Sequence, residues 1–283
     1  MRYPDSMHIL LTNDDGYDAP GILALQRALK ASGHRVTMVA PSEEQSATSM
    51  STTPHRSIAL QQLDADSWHL DARPADTVLV ALNHLLAEDP PDLVLSGINF
   101  GPNLGIGLHA SGTVGAAVMA LIQGFPAIAV SAGMFFHERK HSPQFPSTHE
   151  ILDPAAEFTC TILESLQSSA TPGQGLLPQG VLLNINYPPM PKGDIKGIFY
   201  PEVSSGHMIK LAYSRCKDTG HVIPRYYPGV DPDNPQRESG DIRAHMEGYI
   251  TISTVKPQWS APVELADEIR ARLSGKPAGF NML

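Results

Sequence analysis

Two adjacent carboxylates, Asp14 and Asp15, follow an apolar run, His8 to Thr12, and are flanked by the turn formers Asn13 and Gly16. Two unpaired negative charges held a few ångströms apart repel unless a proton or a cation comes between them. An Asp pair in an arbitrary loop ordinarily caps a helix or closes a turn. At the exit of a buried strand, where open α/β sheets bind their ligands, the same pair points to a hard divalent cation. Ser96 to Gly105 (SGINFGPNLG) is a second polar exit with three glycines and two amides, and Asn99 and Asn103 offer carbonyl oxygens to a cation or amide donors to an oxyanion. Ser111-Gly112-Thr113 stands directly before a helical run. There the unsatisfied backbone N–H groups, the helix dipole and two hydroxyls make a phosphate cradle that needs no basic side chain, although plain capping accounts for Ser and Thr equally well. Ser46 completes the set, because its hydroxyl would join Asp14, Asp15 and Asn99 in an all-oxygen shell. Such a shell suits Mg²⁺ or Mn²⁺ and disfavours zinc.

A second metal pattern competes with this one. His137-Glu138-Arg139-Lys140-His141 matches H-E-x-x-H, the zinc protease helix signature. Pro143 and Pro146 follow it closely and leave no room for the long helix that would present both imidazoles on one face, so a solvated loop is expected. A Mg²⁺-binding receiver-like signalling module also places acids after its first strand. Here the strand at Leu93 to Ser96 runs into Gly-Ile-Asn and carries no phosphorylatable Asp. A haloacid-dehalogenase phosphatase needs Asp-x-Asp where this chain has Asp-Asp-Gly.

The elements that must position these groups follow from periodicity. His8 to Thr12 and Arg35 to Ala40 read as buried strands, joined by a helix from Pro20, whose apolar positions Ile22, Leu25, Ala28 and Leu29 recur at helical spacing until Gly33. This is a βαβ unit and starts a parallel sheet. Short strands at Ser57 to Leu60 and Trp68 to Leu70, a helix near Ala75 to Ala87, a strand at Asp92 to Ser96, a helix from about Thr113 to Gln123 and a strand at Ala127 to Ser131 continue it. The prediction is an α/β fold with a doubly wound, mostly parallel, Rossmann-related sheet and its site at the carboxyl ends of the strands. Beyond it come a helix near Pro154 to Leu166, a linker from Thr171 to Gly180 and strands at Val181 to Asn186 and Ile250 to Val255. One domain is expected, with a core over 7–186, extended C-terminal arms over 187–260 and a charged helix within 261–283. Asp241 and His245, four apart, read either as a surface helical pair or as an accessory to the site.

Composition narrows the function. Of 283 residues, 42% are hydrophobic and 17% charged, which excludes wholesale disorder. A formal net charge of -9 has the wrong sign for coating a nucleic-acid duplex, so an anionic ligand has to be met by local positive charge. Two cysteines, Cys160 and Cys216, give no disulfide framework, and no apolar run approaches the ~18 residues of a membrane helix. With no basic-then-apolar start at Met1 to Ser6, a cytoplasmic location is expected.

Taken together, Ile9 to Gly16 (ILLTNDDG), Val39-Ala-Pro-Ser42 leading to Ser46, Leu95 to Gly105 (LSGINFGPNLG) and Ser111-Gly-Thr113 resemble, in order, the motifs of the survival protein SurE family of metal-dependent nucleotidases. The resemblance is dense in the N-terminal half and thin after it. It implies an α/β core, a swapped C-terminal segment and a homodimer or homotetramer. It also implies Asp14, Asp15, Ser46 and Asn99 as ligands of one divalent cation per subunit, Asn103 and Ser111 to Thr113 as the phosphate site, and an Asp/His pair matched by Asp241 and His245. The expected reaction is hydrolysis of nucleoside 5′-monophosphates, and of 3′-monophosphates and short polyphosphate besides. Direct attack by water is expected, with Asp14 managing the proton and an aspartyl-phosphate route as the alternative. Ala72-Arg73-Pro74-Ala75-Asp76 departs from the family's usual Gly-Thr-Pro-Ala-Asp.

Overall fold

The computed structural model describes residues 6–135, 138, 146–170, 175–216, 219–231, 233–258, 260 and 262–273. The motif residues His137 and His141 lie outside the described residues.

The chain alternates strands and helices from the start: β1 (His8–Thr12), α1 (Pro20–Ala31), β2 (Arg35–Pro41), β3 (Leu60–Asp64), β4 (Ser67–Leu70), α2 (Pro74–Val80), β5 (Leu93–Phe100), α3 (Gly112–Ile122), β6 (Ala127–Ala132), α4 (Pro146–Ser169) and β7 (Leu182–Tyr187). Then follow β8 (Ile198–Phe199), β9 (Ile209–Arg215), β10 (Val222–Pro228), α5 (Gly240–Met246), β11 (Ile250–Val255) and α6 (Val263–Leu273). Nine strands form one sheet in the order β3-β4-β2-β1-β5-β6-β7-β11-β8, and β9 and β10 form a separate hairpin. The centre is parallel, as expected, because helices cross over between the strands. Both flanks add an antiparallel pair, β3 with β4 and β11 with β7, so the sheet is mixed.

Burial on both faces explains the unbroken apolar runs of the inner strands. Ile9 and Leu11 pack with Leu25 and Leu29 of α1, and Leu163 of α4 joins the same core. Leu10 and Val94 point the other way, into a second core with Val78 of α2 and Val114 of α3. From β1 the chain moves to β2 on one side and reaches β5 on the other. The crevice at the carboxyl ends of β1 and β5 is therefore a topological switch point, the place where such sheets take ligands.

Three expectations need adjustment. The first antiparallel strand runs over Leu60–Asp64, later than Ser57 to Leu60. The helix read from Ala75 to Ala87 is α from Pro74 to Val80 and then widens to a π turn over Ala81–Leu85. Helix α4 begins at Pro146 and carries Pro154 inside it. Ile151, Leu152, Ala155 and Ala156 seat that stretch on the core, and their burial outweighs the one backbone hydrogen bond that an internal proline removes. Among the described residues no helix is long and apolar enough to cross a membrane.

Candidate active site

The first acid pair sits where the sheet changes direction. Asp14 is 3% exposed, and Thr113 of α3 donates its hydroxyl proton to Asp14 Oδ1. Asp15 is half-buried, and its Oδ2 accepts the Phe100 N–H at 2.9 Å. One carboxylate is thus tied to the start of α3 and the other to the end of β5. Asn13 closes the turn with Nδ2 on Gly16 O at 2.7 Å, and its buried Oδ1 has no hydrogen-bond partner. Neither acid is ion-paired with a Lys, Arg or His among the described residues. Burial pushes both carboxyls well above the ordinary range. The Glu44 charge adds to the rise at Asp14, and the Asp14 and Glu44 charges add to it at Asp15. Two acids that both resist ionisation in the bare fold are relieved by a cation between them.

Two glycines make the arrangement sterically feasible. At Gly97 (φ +140°) the β5–β6 register shifts between Ser96 and Asn99, a bulge that re-aims the end of β5. A methyl group there would stand 2.3 Å from Val130 O. Gly112, the first residue of α3, lies so close to Asp14 that a methyl group would stand 2.7 Å from its Oδ2 and 2.8 Å from its Cβ.

A cavity of about 430 Å³ opens over this corner, lined by Asp14, Glu44, Ser46, Asn99, Asn103 and Ser111 on its polar side. Asn99 reaches it with Nδ2 committed to Gly101 O at 2.6 Å. Ser46 donates to Glu44 Oε1 at 2.8 Å, in a loop tied to the acids by Gln45 N–H on Asp14 O at 2.7 Å. Ser111 caps α3, its hydroxyl accepting Val114 N–H at 3.1 Å. Asp15, Gly112 and Thr113 do not line the cavity. They stand behind it, and Thr113 spends its hydroxyl on Asp14. The opposite wall is apolar and comes from the hairpin: Met208, Ile209, Leu211 and Tyr226.

The donors fit a hard divalent ion. No group of three or more His, Cys, Asp and Glu side chains is placed to hold a metal among the described residues. A cation here would rest on the Asp14 and Asp15 carboxylates with neutral oxygens from Ser46 and Asn99, a set for Mg²⁺ or Mn²⁺. A larger cavity of about 470 Å³ lies on the far side of α3, between Val118, Tyr200 and Val255. Its lining contains no paired carboxylates.

Sequence reasoning had no cause to single out Glu44, whose charge reaches both acids. It also passed over Ser131, Asn184 and Asn186, which hold Asn103. The signal for these was present: polar residues in LLNINY and AIAVS, two strands otherwise apolar. Asp241 and His245 are not a surface pair. Both are buried. Asp241 accepts three backbone N–H groups, from Gly105 at 3.0 Å, Ser204 at 2.9 Å and Ile242 at 2.8 Å, and His245 packs against Gly133. Asp241 thereby holds the Gly105 end of the loop that carries Asn103, and neither residue lines the cavity.

Known proteins resemble this chain in sequence and in fold. The family model described as survival protein SurE matches residues 9–210. A protein called 5′-nucleotidase SurE from Carboxydothermus hydrogenoformans is 42% identical over 255 residues, covering 88% of this chain and 90% of its own. One of the same name from Synechococcus sp. (strain JA-3-3Ab) is 33% identical over 264 residues, covering 90% and 93%. The crystal structure of the SurE protein from Aquifex aeolicus superposes with a TM-score of 0.74 at 29% identity, over 94% of this chain and 99% of that one. The match spans the β1 exit, the β5 exit and the start of α3, and with it the chain belongs to the survival protein SurE family.

Proposed function

We propose that the protein is a divalent-cation-dependent phosphomonoesterase that hydrolyses nucleoside 5′-monophosphates to nucleoside and phosphate. The observation that carries this reading is the uncompensated carboxylate pair Asp14 and Asp15, of which Asp14 lines, and Asp15 stands behind, a cavity whose rim also bears Asn99, Asn103 and Ser111. The relatives' name, 5′-nucleotidase SurE, supplies the substrate class. Nucleoside 3′-monophosphates and short polyphosphate are further substrates on the same chemistry, since the polar floor addresses only the phosphoryl group. A homodimer or homotetramer in the cytoplasm is the working form.

When bound by Asp14, Asp15, Ser46 and Asn99, a Mg²⁺ or Mn²⁺ ion supplies charge neutralisation at the phosphoryl oxygens and lowers the pKa of water. Asn103 and Ser111 orient the phosphoryl group by hydrogen bonds, with the first-turn amides of α3 adding the positive end of the helix behind them. Asp14, held in one rotamer by Thr113, takes the proton from the attacking water. Glu44 keeps the local potential negative, so the corner receives a phosphate ester only together with a cation. Met208, Leu211 and Tyr226 cover the leaving nucleoside and exclude water from it.

The test is phosphate release from a panel of nucleoside monophosphates with Mg²⁺, with Mn²⁺ and with EDTA. Release with either cation and none with EDTA is the expected pattern. Undiminished release in EDTA removes the cation from the proposal, and no release under any condition removes the activity. Single-turnover hydrolysis in ¹⁸O-water should place the label in phosphate; label in Asp14 or Asp15 would establish an aspartyl-phosphate route instead.

A further inference from the structure

The loop from Gly101 to Gly105 carries Asn103 to the cavity, and the way it is held is unusual in physical terms. Its Asn103 peptide is paired by side chains. Asn103 N–H donates to Asn186 Oδ1 at 2.7 Å, and Asn103 C=O accepts Asn186 Nδ2 at 3.0 Å and Asn184 Nδ2 at 2.9 Å. A carboxamide has the donor and acceptor of a peptide, so Asn186 acts as one residue of an extra strand laid against the loop. The Asn103 side chain is fixed as well, its Nδ2 donating to Ser131 Oγ at 2.9 Å.

Asn184, Asn186 and Ser131 are each 0% exposed, and Ser131 and Asn186 are register partners on β6 and β7. They belong to a polar strip on an otherwise apolar sheet face, continued on β11 by Thr251 opposite Asn186 and Ser253 opposite Asn184. Burying an amide without a partner costs about 1–3 kcal/mol. Among the described residues Asn184 Oδ1, Thr251 Oγ1 and Ser253 Oγ nevertheless have none. A strip arranged for stability alone would be Leu and Val, as Leu182 is on the same face of the same strand. The hydrogen bonds that the strip does make converge on a single residue, one that lines the site.

We infer that Asn186, seconded by Asn184 and Ser131, is a positioning residue for phosphoryl transfer: it fixes the Asn103 backbone so that the Asn103 side chain meets the phosphoryl group in one orientation. The inference rests on the proposed phosphatase reading of the cavity. Asn186 does not line the cavity and touches no substrate. It acts through Asn103, and it lies on β7 while the carboxylates lie after β1, so its loss should be felt at the phosphate and not at the cation.

Calorimetric titration of Mn²⁺ and then of inorganic phosphate into the full-length protein separates the two. Asn186→Asp keeps the shape and the acceptor but replaces the amide donor with a carboxylate facing the Asn103 carbonyl; Asn186→Leu removes both bonds. Each should weaken phosphate binding by about tenfold or more and lower kcat on a nucleoside 5′-monophosphate by a similar factor, with Mn²⁺ affinity within about twofold of the parent. Asn186→Asp should regain phosphate affinity relative to the parent as the pH is lowered, because a protonated carboxyl donates as the amide did. Thr251→Val, on the adjacent register position, should leave phosphate binding unchanged. If Asn186→Leu fails to fold, the isosteric variant carries the test. A folded Asn186→Asp protein with parental phosphate affinity and kcat overturns the inference while leaving the enzyme reading intact. A parent that binds phosphate, loses it in Asn186→Asp, yet turns over no nucleotide upholds the positioning and removes the nucleotidase. A parent that binds no phosphate overturns both.

Discussion

The carboxyl edge of the central strands and the β9–β10 hairpin are built on opposite rules. At the edge, polar groups are inside: Asp14, Thr113, Ser131 and Asn186 are buried, with Thr113 hydrogen-bonded to Asp14, and Ser131 and Asn186 hydrogen-bonded to Asn103. On the hairpin, apolar groups are outside: Tyr213 is 66% exposed, Val222 63% and Tyr227 52%, although Leu211 and Tyr226 also reach the cavity. A two-stranded ribbon alone is at best marginal in water, so this one depends on what it leans against. The edge holds its polar groups by hydrogen bonds to neighbouring strands and helices, and the hairpin supplies an apolar wall to the same cavity. Under the proposed function, chemistry and choice of leaving group fall to different parts of the chain.

Substitutions that break the edge should cost turnover, together with phosphate affinity where they loosen Asn103, and those that break the hairpin should cost affinity for the nucleoside alone. The largest effect is expected for Asp15→Asn, with phosphate release down by about 10³-fold. Its melting temperature without added cation should hold or rise, because the charge that burial and Asp14 disfavour is gone. A variant that hydrolyses at the parental rate removes the carboxylate pair from the chemistry. Gly112→Ala comes next. Its methyl group meets Asp14 Oδ2 at 2.7 Å, so Asp14 must move, and kcat should fall by about 10- to 100-fold with KM changed much less. Tyr226→Ala should raise KM for a nucleoside monophosphate by about tenfold and leave turnover of p-nitrophenyl phosphate unaltered. Equal losses on both substrates would mean that the hairpin serves catalysis as well, and the contrast between the two regions would fail.

A last effect concerns stability, not turnover, and belongs to the ground under the site. Burial holds the His245 imidazole down at about 4, against 6.5 ordinarily. The unfolded chain takes up this proton near its ordinary pKa and the folded chain resists until much lower. The neutral imidazole therefore costs nothing above pH 6.5, and stability drains away as the pH falls from there toward 4, by on the order of 3 kcal/mol. Asp241, on the same helix, is shifted up by burial and titrates in the opposite sense. Urea unfolding of His245→Asn beside the parent across that range isolates the histidine, since the Asp241 contribution cancels. A parental slope in the variant would show that His245 is not what titrates.

The same division decides what the sequence discloses. The strand β1 and the helix start at Pro20 fall where apolar runs, a turn cluster and a proline place them, because their determinants are local. Asp14, Asp15, Ser46, Asn99, Asn103 and Ser111 are legible as a group because strand exits in a doubly wound sheet share one edge. Four of the five residues that line the polar side of the cavity with Asp14 belong to motifs read in this way, whereas Glu44 carries no motif of its own. What escaped was set by distant partners. Asp241 is buried by bonds to Gly105, 136 residues away, and to Ser204, 37 away, so four-residue spacing on a short helix left its side undecided. Thr113 looked equally suited to a phosphate and to a cap, and its true partner, Asp14, is 99 residues earlier. Pro154 read as a helix start because proline favours that position, but packing of its neighbours on the core carried the helix through it.

The most direct test is anomalous diffraction from crystals grown with Mn²⁺ and a nucleoside 5′-monophosphate. One manganese peak bound by oxygens of both Asp14 and Asp15, with the phosphoryl group beside it and within hydrogen-bond distance of Asn103, is the expected result. A peak that avoids both carboxylates, or a phosphoryl group seated away from that corner, would contradict it.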